Sequence, residues 1–273
     1  MKSTSEVSPE PTTTRALEWC TPPPELSLPA NAVHVWRADL GLEAAYLRRL
    51  EQNLSADERG RASRFRLARD RDRFIGARSL LREILALYLN ASPGRLSFGY
   101  SAHGKPFLAG KHSTLRFNVS HSRDEMLLAI AHMREVGVDV EGVRNNNGVA
   151  MEEIAETVLS EPEKQALARF GGEDKLRFWT RKEAYIKADG RGVSLPLERI
   201  DVSAPEGRVA VLDEATGEWR TCPRWELRTL AAAPGYVAAL AAEGQDWRLA
   251  LWQWSGESST DPAREQAAKR LAF

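Results

Sequence analysis

The 273-residue sequence predicts an α+β protein made of two similar α+β halves in a pseudo-twofold arrangement, with a site where they meet. Three observations predict it. Strand-like alternation and helical periodicity follow one another along the chain rather than occurring in separate regions. The helical region repeats at a spacing of 105 residues without a gap: Ser55 meets Ser160, Glu58 meets Glu163, Arg64 meets Arg169, Phe65 meets Phe170 and Phe74 meets Trp179. Each half then closes in paired strands with a similar apolar run, Leu127 to Ala131 and Val237 to Ala241. Chance likeness of two helices is the other reading of the repeat.

In chain order, residues 1–29 are rich in Ser, Thr, Pro and Glu and form a flexible or extended segment. Within it, Trp19 can anchor Ala16 to Leu28 against the domain. The first half, residues 30–134, opens with the alternating Val33-His34-Val35-Trp36. Helical spacing follows from Leu42 to Leu54. Ser55 and Glu58 match a capping box at the start of the next helix. From Phe74 to Leu89 apolar residues recur every three or four positions, and Pro93-Gly94 ends the run. Short strands are predicted at Leu96 to Tyr100, Arg116 to Val119 and Met126 to Ala131.

The second half, residues 135–245, begins with a strand at Val136 to Val140. Helices are predicted at Glu152 to Leu159, Glu161 to Phe170 and Leu176 to Ala188, the last ended by Gly190 and Gly192. Strands follow at Ile200 to Val202, Val209 to Leu212, Trp225 to Leu230 and Tyr236 to Ala241. Residues 246–273 are assigned to a C-terminal extension, with a short helix after Asp261-Pro262.

Composition narrows the function. Net charge is zero, so no global field favours nucleic acid or an anionic membrane, and any anion site must be local. The two cysteines, Cys20 and Cys222, suggest neither a disulfide framework nor a metal cluster, which points to a reducing compartment. No apolar run is long enough to span a bilayer, and the polar N-terminus lacks a signal segment. The expectation is a cytoplasmic protein.

Four constellations offer chemistry. In Gly137-Val138-Asp139-Val140-Glu141, strand alternation puts Asp139 and Glu141 on one face and the valines on the other. Adjacent carboxylates suit a magnesium ion, which takes oxygen ligands and commonly shares them with substrate phosphates. A solvated acidic strand face is the alternative. In Trp179-Thr180-Arg181-Lys182-Glu183-Ala184-Tyr185-Ile186-Lys187, Glu183 and Lys187 share a helix face. A surface ion pair would have the same spacing, but Gly190 and Gly192 beyond it permit close approach of a phosphate-bearing ligand. Asn118-Val119-Ser120-His121-Ser122 offers hydroxyls and an imidazole at a strand end, and Gly104-Lys105-Pro106 forms a turn. No G-x-S-x-G elbow, P-loop or dinucleotide fingerprint occurs.

Taken in order, these motifs resemble the Sfp-type 4′-phosphopantetheinyl transferases, over about residues 30 to 245. That family has two similar α+β halves in one chain. The resemblance implies transfer of the 4′-phosphopantetheine arm of coenzyme A to a serine of an apo carrier protein, with Mg²⁺ as cofactor and adenosine 3′,5′-bisphosphate released. It implies Asp139, Glu141 and Glu183 as metal ligands, with Glu183, Lys187 and Asp139 catalytic. Arg61, Arg73, Lys105, Ser120, His121 and Lys187 would bind coenzyme A. Glu58 stands where relatives often carry a lysine.

The partners implied are acyl or peptidyl carriers, or carrier domains of polyketide and non-ribosomal peptide synthetases. Fatty-acid biosynthesis and secondary metabolism both stay open. Arg144 to Asp174 is the expected docking surface. Because two halves complete one site, a monomer is expected. The rival is a nucleic-acid-binding module using the arginines from Arg59 to Arg82, opposed by zero net charge and the interleaved Asp57, Glu58, Asp70 and Asp72.

Overall fold

A computed structural model describes residues 18–110, 114–143, 157–170, 174–204 and 207–256. The first half contains β1 (Ala32–Asp39), α1 (Ala44–Glu51), α2 (Ala56–Ala62) and α3 (Ala68–Leu89). It continues with β2 (Phe98–Tyr100), β3 (Pro106–Leu108), β4 (Leu115–Ser122) and β5 (Glu125–His132). The second half contains β6 (Val136–Gly142), α4 (Glu161–Phe170), α5 (Asp174–Asp189), β7 (Ile200–Asp201), β8 (Val209–Leu212), β9 (Trp219–Cys222), β10 (Trp225–Leu230) and β11 (Tyr236–Glu243). The α+β class is as the sequence predicts.

The chain then returns. β12 (Arg248–Gln253) pairs parallel to β1, from Ala32↔Arg248 to Arg37↔Gln253. It is the edge of the first sheet, ordered β12-β1-β5-β4. Part of the segment assigned from sequence to a C-terminal extension is therefore a strand of the first half's sheet. Residues 257–273, including the helix expected after Asp261-Pro262, lie outside the described residues, as does most of the helix expected at Glu152 to Leu159.

The second sheet is β10-β11-β6. Leu80, Leu81, Ile84 and Leu85 of α3 pack on Leu128 and Ile130 of β5 in the first core. Ala184, Tyr185 and Ile186 of α5 pack with Trp225, Leu227, Ala239 and Ala241 in the second. The alternate residues of these strands turn the other way. Leu127, Ala129 and Ala131 of β5 meet Val136, Val138 and Val140 of β6 and Leu240 of β11 in a third core shared by both halves. A strand buried on both faces reads as the unbroken apolar run seen in β5.

Both halves use the same device to start a helix. Ser55 N–H donates to Glu58 Oε2 at 2.9 Å, and Ser160 N–H donates to Glu163 Oε2 at 2.9 Å. Each glutamate then meets a cation of the long helix that follows. Glu58 accepts from Arg82 Nε at 2.8 Å and from Arg78, while Glu163 lies 3.0 Å from Lys182 Nζ with both side chains fully buried. A buried charge is tolerated only when paired and hydrogen-bonded. Lys182 accordingly also donates to the Leu197 and Ile200 carbonyls, and Glu163 Oε1 accepts from Val202 N–H.

Trp19 is anchored as expected. Its indole donates to Ala231 O at 2.6 Å, and the Arg37 guanidinium lies 5.0 Å from its ring centroid. Among the described residues, no helix is long and apolar enough to cross a membrane.

Candidate active site

The site is built where β4, β6 and α5 converge. β4 and β6 are edge strands of different sheets, and side chains join them instead of a backbone ladder. Every second residue of β4 contributes. Arg116 Nε donates to Glu135 Oε1 at 2.8 Å. Asn118 Oδ1 accepts from Val138 N–H at 2.9 Å, and Ser120 Oγ donates to Asp139 Oδ1 at 2.8 Å. Ser122 Oγ donates to Glu141 Oε2 at 3.2 Å and accepts from Gly142 N–H at 3.2 Å. The period of two fixes which residues stitch the halves and leaves His121 on the other face.

α5 lies almost directly on β6 because Gly137 has no side chain. A Cβ there would collide with the Ala184 carbonyl and the Ala188 amide. That close approach sets Glu183 and Lys187 beside Asp139 and Glu141. Lys187 Nζ donates to Asp139 Oδ1 at 2.6 Å and to Ser120 Oγ at 3.0 Å. Asp139 is 2% exposed. Its second oxygen, Oδ2, is buried with no hydrogen-bond partner.

The electrostatics mark an acidic pocket short of cations. Burial pushes the Glu183 carboxyl above its ordinary range; Asp139 and Glu141 push it further, and Lys187 opposes them. Burial also raises Glu141, reinforced by Asp139, while Ser122, Lys187 and a hydrogen bond from Trp179 act against it. His121 is lowered, first by loss of water around the ring and then by the Lys187 and Arg73 cations. The residue is exposed to solvent. Among the described residues, no three His, Cys, Asp or Glu side chains are gathered closely enough to hold a metal ion as they stand. The Lys187 ammonium is the present counter-ion of Asp139.

A cavity of about 430 Å³ adjoins this cluster, with Arg61, Phe74, Tyr100, Gly104, Pro106 and His121 in its wall. A larger one, about 660 Å³, shares Pro106 but is walled by Phe107, Leu108, Phe117 and the Lys105–Glu135–Arg116 ion pairs. The smaller cavity is the one lined by His121, whose ring feels the Lys187 and Arg73 charges.

The remaining residues singled out from sequence are placed as follows. Arg61 lies 5.2 Å from the Phe74 ring centroid and has no carboxylate partner among the described residues. Arg73 is ion-paired with Asp124 at 2.7 Å. Lys105 turns away from the smaller cavity, to Glu135 Oε2 at 2.8 Å and the Val136 and Ala188 carbonyls at 3.2 Å each. Glu58 is consumed by Arg78 and Arg82. Together with Arg71–Asp72 and Arg73–Asp124, these pairs neutralise much of the arginine run that suggested nucleic-acid binding, and nothing supports that rival.

Of the expected docking surface, residues 144–156 and 171–173 lie outside the described residues. Leu159 is buried, and Val158 and Leu167 pack on the second core; they serve packing instead. Sequence reasoning did not assign roles to Asn118, Ser122 or Trp179. Strand alternation was the available signal for the first two; the Trp179–Glu141 bond spans distant segments and left none.

Comparison with known proteins places the chain. The family description "4'-phosphopantetheinyl transferase superfamily" matches residues 135–251, and "4'-phosphopantetheinyl transferase, N-terminal" matches residues 43–133. The chain is 36% identical to the 4'-phosphopantetheinyl transferase HetI of Nostoc sp. over 242 residues, covering 86% of this chain and 98% of HetI. It is 32% identical to a phosphopantetheinyl transferase of Thraustochytrium sp. over 68% of this chain and 70% of the relative. It is 25% identical to the 4'-phosphopantetheinyl transferase Sfp of Bacillus subtilis over 71% of this chain and 84% of Sfp. The chain belongs to the 4′-phosphopantetheinyl transferase family and is an enzyme of that class.

Proposed function

We propose that the protein transfers the 4′-phosphopantetheinyl group of coenzyme A to a serine hydroxyl of an apo carrier protein and releases adenosine 3′,5′-bisphosphate. The observation that carries this reading is the cluster of Asp139, Glu141, Glu183 and Lys187 between the halves, with one buried carboxylate oxygen unpartnered. Three carboxylates suit a hard divalent cation with oxygen ligands, and burial beside neighbouring carboxylates raises Glu141 and Glu183. Asp139, Glu141 and Glu183 would hold Mg²⁺, which when bound supplies Lewis-acid neutralisation of pyrophosphate charge.

The chain's own groups account for the rest. Glu183, whose carboxyl burial pushes above its ordinary range, is the base for the serine proton. Lys187 sits one helical turn beyond it and exchanges its bond to Asp139 for a phosphate oxygen. Ser120 and His121 present a hydroxyl and an imidazole to phosphate, Arg61 supplies charge in the wall of the smaller cavity, and Arg73, paired with Asp124, adds charge near His121. The serine oxygen bonds to the β-phosphorus, the bond to the bridging oxygen breaks, and the negative charge leaves on the nucleotide. Two halves complete one site, which makes a monomer sufficient.

Incubation with coenzyme A, Mg²⁺ and an apo carrier tests this by the carrier's mass. The expected result is a gain of one phosphopantetheinyl group per carrier serine, abolished by EDTA. Panels of fatty-acid, polyketide and peptide-synthetase carriers identify the partner. Unmodified carriers of all three types would sink the reading.

A further inference from the structure

Lys105 sits at the tip of the β2–β3 hairpin, where Ser101 shapes the turn by accepting from Lys105 N–H at 3.1 Å. Its ammonium has three protons, and three acceptors surround it: Glu135 Oε2, Val136 O and Ala188 O. The side chain is 17% exposed. Ala188 follows Lys187 directly at the end of α5, and Val136 is the first residue of β6, three before Asp139. A cation against terminal helix carbonyls also complements the helix dipole. Glu135 is itself held by Arg116 of β4. One side chain of the first half thus grips both second-half segments that carry the acidic cluster.

We propose that Lys105 is a positioning residue: it staples the start of β6 to the end of α5 and so sets the separation of Asp139 and Glu141 from Glu183 and Lys187, instead of binding a phosphate of the ligand. Gly190 fits this role. Its φ of +83° turns the chain away from α5, and a Cβ there would lie 3.8 Å from Lys105 Cδ. The kinetic consequence rests on the transfer reading; the staple itself does not.

The test compares Lys105→Met with Glu135→Gln in the full chain, after denaturant unfolding shows both folded. Lys105 and Glu135 both line the larger cavity and neither lines the smaller one, so a readout made without ligand is needed to separate a staple from a ligand contact. Amide hydrogen exchange reads the staple without any turnover. Both variants are expected to exchange faster in residues 136–140 and 186–190 together, with other strands unchanged. In the transfer assay both are expected to lower kcat by about tenfold to a hundredfold, the size of effect that small misplacements produce. The KM for coenzyme A stays within about twofold, because uniform binding is untouched. The double variant is no worse than the more severe single one. Unchanged exchange in those segments, or a raised KM for coenzyme A in Lys105→Met alone, overturns the proposal. Wild-type protein that transfers nothing would refute the transfer reading, while the exchange result still decides the staple.

Discussion

Asp139 is the residue at which the opposing demands of this site meet. Nearly inaccessible to water, it has one oxygen shared by Ser120 and Lys187 and the other unpartnered. An unpaired buried acceptor costs about 1–3 kcal/mol, a cost that ligand binding would relieve. Glu183→Gln keeps shape and removes the proposed base, so kcat for carrier modification should fall by about 10²–10⁴, measured with saturating coenzyme A and Mg²⁺. Trp179→Phe keeps an aromatic side chain and removes the indole N–H that counters the rise in Glu141. The Mg²⁺ concentration giving half-maximal rate should rise by about 10–100-fold, the usual effect of losing a group that orients a ligand. Asp139, Glu141, Glu183 and Lys187 were legible because period two and period 3.6 fix which side chains share a face. Trp179's bond and Lys105's three acceptors were not, since each joins segments far apart in sequence.

At the scale of elements, α5 depends on two devices, one on each side. On the site side, Gly137 lets it approach β6. Gly137→Ala should destabilise the fold by about 1–3 kcal/mol through overpacking, read by urea unfolding, with transfer activity falling even in the folded fraction. On the far side, the fully buried Lys182–Glu163 pair ties α5 to α4. Lys182→Met strands a buried carboxylate and should cost about 3–5 kcal/mol. Adding Glu163→Leu should restore only part of that loss in the same unfolding experiment, because it removes the stranded charge but leaves the buried Ser160 and Val202 amides without their acceptor. The paired capping boxes were readable as Ser55–Glu58 and Ser160–Glu163, because such boxes are local. β12 was not: alternation in Arg248 to Gln253 shows a strand, but only the return of the chain to β1 shows which sheet it joins. β3 and β9, of three and four residues, are too short for periodicity to reveal.

For the molecule as a whole, the candidate site lies between the two sheets, so the metal binding proposed there would link pH and stability. Glu183 and Glu141 hold protons more tightly when folded than their ordinary value of 4.5. Between that value and their raised ones the folded state binds more protons than the unfolded chain. Stability of the metal-free protein therefore falls as pH rises through that window. A divalent cation that binds only the folded form reverses the penalty. The Mg²⁺-induced rise in Tm should accordingly be larger at about pH 8 than at about pH 5, where protons compete for the carboxylates. The sequence repeat is matched in the structure by two like helix starts, Ser55–Glu58 and Ser160–Glu163. How the two sheets join was hidden in a third core, because both faces of β5 are apolar alike and no pattern says which partner each meets.

The central claim is that Asp139, Glu141 and Glu183 form one cation site shared with the pyrophosphate of coenzyme A. Calorimetric titration of Mg²⁺ into the protein with coenzyme A present tests it most directly, alongside Asp139→Asn and Glu183→Gln. One ion bound per chain in the wild type, with binding lost in each variant, is the predicted result. Equal Mg²⁺ binding by wild type and both variants would contradict it.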